Sequence, residues 1–60
     1  MKRIAIKLKD NTWYDLKESN MNNVLYALNQ EGKFLQFTTY TDYEVIIRKK
    51  EIDLIYEYEA

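Results

Sequence analysis

The residues whose type and spacing come nearest to chemistry are three carboxylates close to the end of the chain, Asp53, Glu57 and Glu59. In an extended segment, residues separated by an even number share a face, so the three would stand in one row. Two acids on one face can divide general-acid and general-base roles if a cleft brings both against a substrate. The same oxygens could meet a hard cation, but the loop spacing of a calcium site is absent. A solvated acidic strand face explains the row without any reaction and is the simpler reading.

The rest of the catalytic repertoire is missing. The chain has no Cys and no His, and its only serine, Ser19, stands where a helix cap is needed. A Ser, Cys or His nucleophile with its base therefore cannot be assembled. One glycine, Gly32, is too few for a phosphate-cradling loop. Without thiolate or imidazole, the commonest zinc, copper and nickel ligands are also gone. No enzyme activity, no metal and no cofactor are expected; the activity should reside in surfaces.

Two groups of residues could make such surfaces. Trp13, Tyr14, Tyr40 and Tyr43 are types that dominate binding hot spots. With Arg48, Lys49 and Lys50 they form the expected partner-binding set. A protein partner is the leading expectation. A nucleic acid is the alternative, with Phe34 added to the stacking rings and Lys7 and Lys9 to the cations. A near-neutral balance of nine basic and ten acidic residues, and the absence of a known recognition motif, count against that alternative. A nucleotide or small-molecule sponge with an interface pocket is the third reading.

The elements that must position these residues follow from periodicity. Residues 3–9 (RIAIKLK) alternate as a half-buried strand with Ile4, Ile6 and Leu8 on one side. Asp10-Asn11 tolerates left-handed backbone and turns the chain; residues 12–17 return as a second strand. A two-residue turn would set Asp15 against Ile6. A three-residue loop including Thr12 sets Tyr14 against Leu8 and Leu16 against Ile6, buries no carboxylate and leaves Trp13 outside, and it is preferred. Residues 20–31 predict a helix, with Met21, Val24, Leu25 and Leu28 on one stripe. Ser19 or Asn20 would be its N-cap, and Gly32 its C′ residue. Residues 33–40 and 43–48 predict strands, the second with Tyr43, Val45 and Ile47 on one face. Lys49-Lys50 predicts a charged turn. Residues 51–59 predict a last strand with Ile52, Leu54, Tyr56 and Tyr58 inward.

Together these define one α+β domain over residues 1–60, in the order β-β-α-β-β-β. The expected architecture is a small antiparallel sheet, free of any linker or repeat, with one helix on one face and a tendency to curl toward a barrel. Residues 1–9 carry four basic groups and no acid, and residues 51–59 four acids and no base. Opposite charges of this kind suit neighbouring antiparallel strands. A short helix covers only one sheet face, yet Phe34, Ile46 and Ile55 add apolar groups to the second. That predicts self-association through these three residues, most simply as a homodimer. No apolar run approaches the length of a membrane span and no secretory leader is evident, so the cytoplasm of a bacterial host is the expected compartment.

The segment YEVIIRKKEIDLIYEYE resembles the closing hairpin of many short proteins from low-GC phages and mobile elements. In these, an isoleucine-ended strand meets a basic turn and then an I-x-x-I strand, here Ile52 and Ile55, with acidic flanks. Sm-like and SH3-like barrels close similarly. Lys, Ile, Asn and Tyr dominate the composition, as AT-rich coding would produce. The resemblance implies a small accessory protein that binds and disables a host component, antiviral defence machinery included, or sequesters a signalling nucleotide.

Overall fold

A computed structural model describes residues 1–60. The chain runs β1 (Lys2–Leu8), β2 (Trp13–Asp15), α1 (Met21–Leu28), β3 (Phe34–Thr38), β4 (Glu44–Arg48), a 3-10 turn at Lys49–Glu51, and β5 (Ile52–Glu59). The strands form two antiparallel sheets, β2-β1-β5 and β3-β4. The α+β order matches the sequence reading; the curl toward a barrel does not occur. The sheets meet through one bridge, Leu16 to Thr39, and no ladder joins β4 to β5. With only three residues, β2 is too short to carry full ladders to β1 on one side and β3 on the other. No helix is long and apolar enough to cross a membrane.

One core lies between the sheets and the helix. Ile4, Ile6, Leu16, Val24, Leu35 and Ile47 are buried together, with Tyr14, Met21, Leu28, Phe37, Val45, Ile52 and Ile55 packed around them. The terminal strands pair as their charges suggested, in register Lys2 to Glu59 through Leu8 to Ile52. Lys2–Glu57 at 3.6 Å and Lys7–Asp53 at 3.4 Å cross that ladder.

The first hairpin keeps the expected faces but not the expected register. Tyr14 lies against Ile6 and Trp13 against Lys7, and the Leu8 N–H donates to the Thr12 carbonyl at 2.9 Å. The loop is thus Lys9-Asp10-Asn11, one residue earlier than preferred. Asn11 takes the left-handed position, at φ 72°, and Asp10 accepts from the Thr12 N–H at 3.0 Å. The pairing has slid by two residues, and an even slip leaves every side chain on its own face.

The last strand differs more. Lys7 pairs with Leu54 but Leu8 with Ile52, so Asp53 is an extra, bulged residue. A bulge inserts one residue and reverses the alternation beyond it. Ile52 and Ile55 therefore both face the core, while Leu54 and Tyr56 are exposed on the other side. The inward assignment of Leu54, Tyr56 and Tyr58 is overturned, and the I-x-x-I spacing is the trace of the bulge.

In the helix, Asn20 is the N-cap and accepts from the Asn22 N–H at 2.9 Å. Glu18 adds a second support, accepting from the Asn20 N–H at 2.9 Å. Val24 is buried, but Leu25 remains 48% exposed and Ala27 takes its place against the core. The helix stops at Leu28, before Gly32. The Lys49 ammonium donates to the Leu28 carbonyl at 3.0 Å and also to that of Gln30. A cation at these orphan carbonyls replaces the glycine cap. Gly32 serves in the following loop instead, where φ is 122°, a region that favours glycine.

Candidate functional site

The outer face of the β2-β1-β5 sheet is built by alternation. From β1 it takes Arg3, Ala5 and Lys7; from β2, Trp13 and Asp15; from β5, beyond the bulge, Leu54, Tyr56 and Tyr58. Trp13 meets Tyr56 edge to face with ring centroids 5.5 Å apart, and Tyr56 lies 5.6 Å from Tyr58. The Tyr58 hydroxyl donates to Asp15 at 2.8 Å. That bond raises the Tyr58 pKa, because the phenol must keep its proton to donate beside a carboxylate. The Lys7 ammonium lies 5.8 Å from the Trp13 ring centroid. Ala5 sits in the middle and is only 2% exposed although no helix covers this face. The small residue is the floor on which the larger side chains lie.

The platform continues into the β3–β4 loop. The Arg3 guanidinium stacks over Tyr40 at 3.9 Å. Thr39 closes the loop: its hydroxyl accepts from the Tyr43 N–H at 3.0 Å, and Asp42 turns the chain at φ 68°. Arg3, Trp13, Asp15, Tyr40 and Tyr43 line a shallow cleft there. Trp13 is 50% and Tyr43 70% exposed.

The seven residues expected to bind a partner do not form one edge. Trp13, Tyr14, Tyr40 and Tyr43 line the cleft just described. Tyr14 is half-buried there, its ring packed edge-on to Phe37 at 5.6 Å on the core side. Arg48, Lys49 and Lys50 lie in a different open hollow with Lys33 and Phe34. No acid lines that hollow, and neither Lys33, Arg48 nor Lys50 has an ion-pair partner. Lys49 is committed to the helix carbonyls.

Of the residues expected to mediate self-association, Phe34 and Ile46 are exposed on the outer face of β3-β4, at 58% and 64%. Ile55 packs against the core and is not on that face. The carboxylates named first lie beside cations: Asp53 with Lys7, Glu57 with Lys2, and Glu59 with the chain's N-terminus at 3.8 Å.

Sequence reasoning missed Arg3, Leu54, Tyr56 and Tyr58 as parts of the platform, and Lys33 in the basic hollow. The signal for Leu54, Tyr56 and Tyr58 was present in the spacing of Ile52 and Ile55, and that for Arg3 in the alternation of residues 3–9. Lys33 had none, because it meets Arg48 only through the β3-β4 pairing. No family model, curated protein or solved structure matches this chain, so its own geometry is what bears on function.

Proposed function

We propose that this chain is a non-enzymatic binding protein of the kind phages and mobile elements encode to inhibit or modulate a host protein, and that it holds its protein partner on the aromatic platform. The observation that carries this reading is the row of Trp13 and Tyr56, both exposed, and half-buried Tyr58 over Ala5, with Arg3 and Tyr40 beside it. Rings pinned by their neighbours lose little further freedom on binding, and Trp, Tyr and Arg are the types that anchor protein interfaces. The test is capture from a low-GC bacterial lysate on the immobilised full chain. A stoichiometric protein should be retained, and Trp13→Ala should weaken its binding by about 2 kcal/mol or more. Recovery of no stoichiometric protein, or capture indifferent to Trp13 and Tyr56, would sink the proposal.

A second reading rests on the basic hollow, where Lys33, Arg48 and Lys50 surround an exposed Phe34 with no acid in the lining. Cations around a free ring suit the phosphates and base of single-stranded nucleic acid or a nucleotide. Titration with single-stranded RNA and DNA at low and moderate salt tests it. Binding should weaken as salt rises, and Lys33→Glu should abolish it; salt-independent binding or none removes this reading.

A further inference from the structure

Both sheets leave a strand edge open, at β5 and at β4. An open edge pairs with another strand unless its side chains forbid it. A two-fold antiparallel pairing of β5 with its copy is disfavoured in this way. Centred on Ile55 it sets Asp53 against Glu57; centred on Tyr56 it sets Asp53 against Glu59. Like charges directly opposite are destabilising.

The β4 edge has the reverse pattern. Two backbone bonds fix which groups are free. The Thr39 N–H donates to the Tyr43 carbonyl at 2.8 Å, and the Lys49 N–H to the Lys33 carbonyl at 2.8 Å. Bonded pairs recur at every second residue of an antiparallel ladder. Val45 and Ile47 thus turn their backbone groups toward β3, while those of Glu44, Ile46 and Arg48 point away from it. No backbone bond outside the ladder takes these three N–H groups.

A second β4 laid antiparallel on this edge, with the two-fold axis at Ile46, sets Ile46 against its own copy. It sets Glu44 against Arg48 at both ends. Glu44 is already held in place, accepting from Thr38 at 2.8 Å and from Gln36 at 3.1 Å. Arg48 has no ion-pair partner within the chain. We infer that the free edge of β4 is a self-recognition surface, pairing two copies of this chain through Glu44, Ile46 and Arg48 into a continuous sheet β3-β4-β4-β3. The unpaired cation, the exposed isoleucine and the three outward N–H groups then all find partners in one register. This surface is separate from the aromatic platform, and its test does not depend on any host partner.

The experiment is sedimentation velocity of the full chain from about 1 μM to 1 mM, with amide hydrogen exchange at both ends of the range. A reversible monomer–dimer equilibrium is expected. As dimer forms, the amides of Glu44, Ile46 and Arg48 should gain protection, while those of Val45 and Ile47 stay protected throughout. Glu44→Arg and Arg48→Glu should each weaken association about tenfold, since each touches two symmetry-related pairs, and the double variant should recover it. The amide spectrum of β3 checks that each variant is folded, as expected for exposed positions. A monomer at all concentrations, a dimer whose Ile46 amide exchanges freely, or folded single variants with no recovery in the double would overturn the inference.

Discussion

The outer faces of the two sheets draw on similar residue types, rings, isoleucine or leucine, and cations, yet they behave differently. On β2-β1-β5 the central strand has a neighbour on each side, so each outward group finds another. Trp13 reaches Tyr56, Tyr58 reaches Asp15, Lys7 reaches Asp53, and Ala5 disappears beneath them. On β3-β4 there is one ladder only. Gln36, Thr38 and Glu44 satisfy each other, but Phe34, Ile46 and Arg48 are left over. A three-stranded face can pin its own side chains; a two-stranded ribbon leaves half its neighbours to be supplied from outside. The partner platform proposed above rests on the first kind of face, and the inferred self-pairing edge on the second.

The strongest way to break the comparison is to remove what both faces stand on. Ile6→Ala opens a hole in the buried centre of β1 and should cost about 2–5 kcal/mol, measured by urea unfolding. Loss below 1 kcal/mol would mean that the core is not shared.

Next in size, Ala5→Leu overfills the floor of the platform and should destabilise by about 1–3 kcal/mol. Ile46→Ala on the other face should change monomer stability by less than about 0.5 kcal/mol. Equal effects at the two positions would erase the distinction between a pinned and an open face.

A double-mutant cycle on Trp13 and Tyr56 should give a coupling of about 0.5–1.5 kcal/mol. The same cycle on Phe34 and Ile46 in the dilute protein should give almost none.

The smallest effects are in pH dependence, where Glu44 on one face and Tyr58 on the other act with opposite sign. Glu44 has its pKa lowered by hydrogen bonds from Thr38 and then Gln36, and Glu18 by those from Asn20 and Asn23. A lowered folded pKa gives stability that is present above the ordinary carboxylate value of 4.5 and is lost as pH falls through the folded value. Tyr58, raised by Asp15, behaves oppositely. Its contribution is present below the ordinary phenol value of 10.0 and is lost as pH rises through the folded value. Thermal unfolding against pH should show both limbs. Gln36→Ala should weaken the acid limb alone, and Tyr58→Phe the alkaline limb alone.

Much of the fold was legible because it is written in local periods. The alternation of residues 3–9, the apolar stripe beginning at Met21 and the Asn20 cap each arise within a few residues. The pairing of the two ends was legible because Lys2 and Lys7 needed acids and the last strand had them. Less of the candidate site could be read. Whether Leu54 and Tyr56 face inward turns on one extra residue, Asp53, and a strict period of two cannot register it. Leu25 fits its stripe as well as Ala27 does, and only the angle at which the helix meets the sheets chooses between them.

What the sequence by itself determined about this protein is the menu: five strands, one capped helix, opposite charges at the two ends, and a chain with neither Cys nor His. Side-chain type and local backbone preference suffice for these, since both act over short stretches of chain. What only the tertiary structure decided is which groups remain unpartnered. Tyr14 packs between the cleft and the core, Lys49 goes to the end of the helix, and Trp13 to a ring on the far strand, leaving Arg48 without an ion pair and Ile46 and Phe34 exposed. A surface is what remains after long-range contacts have formed, and residues distant in sequence make those contacts.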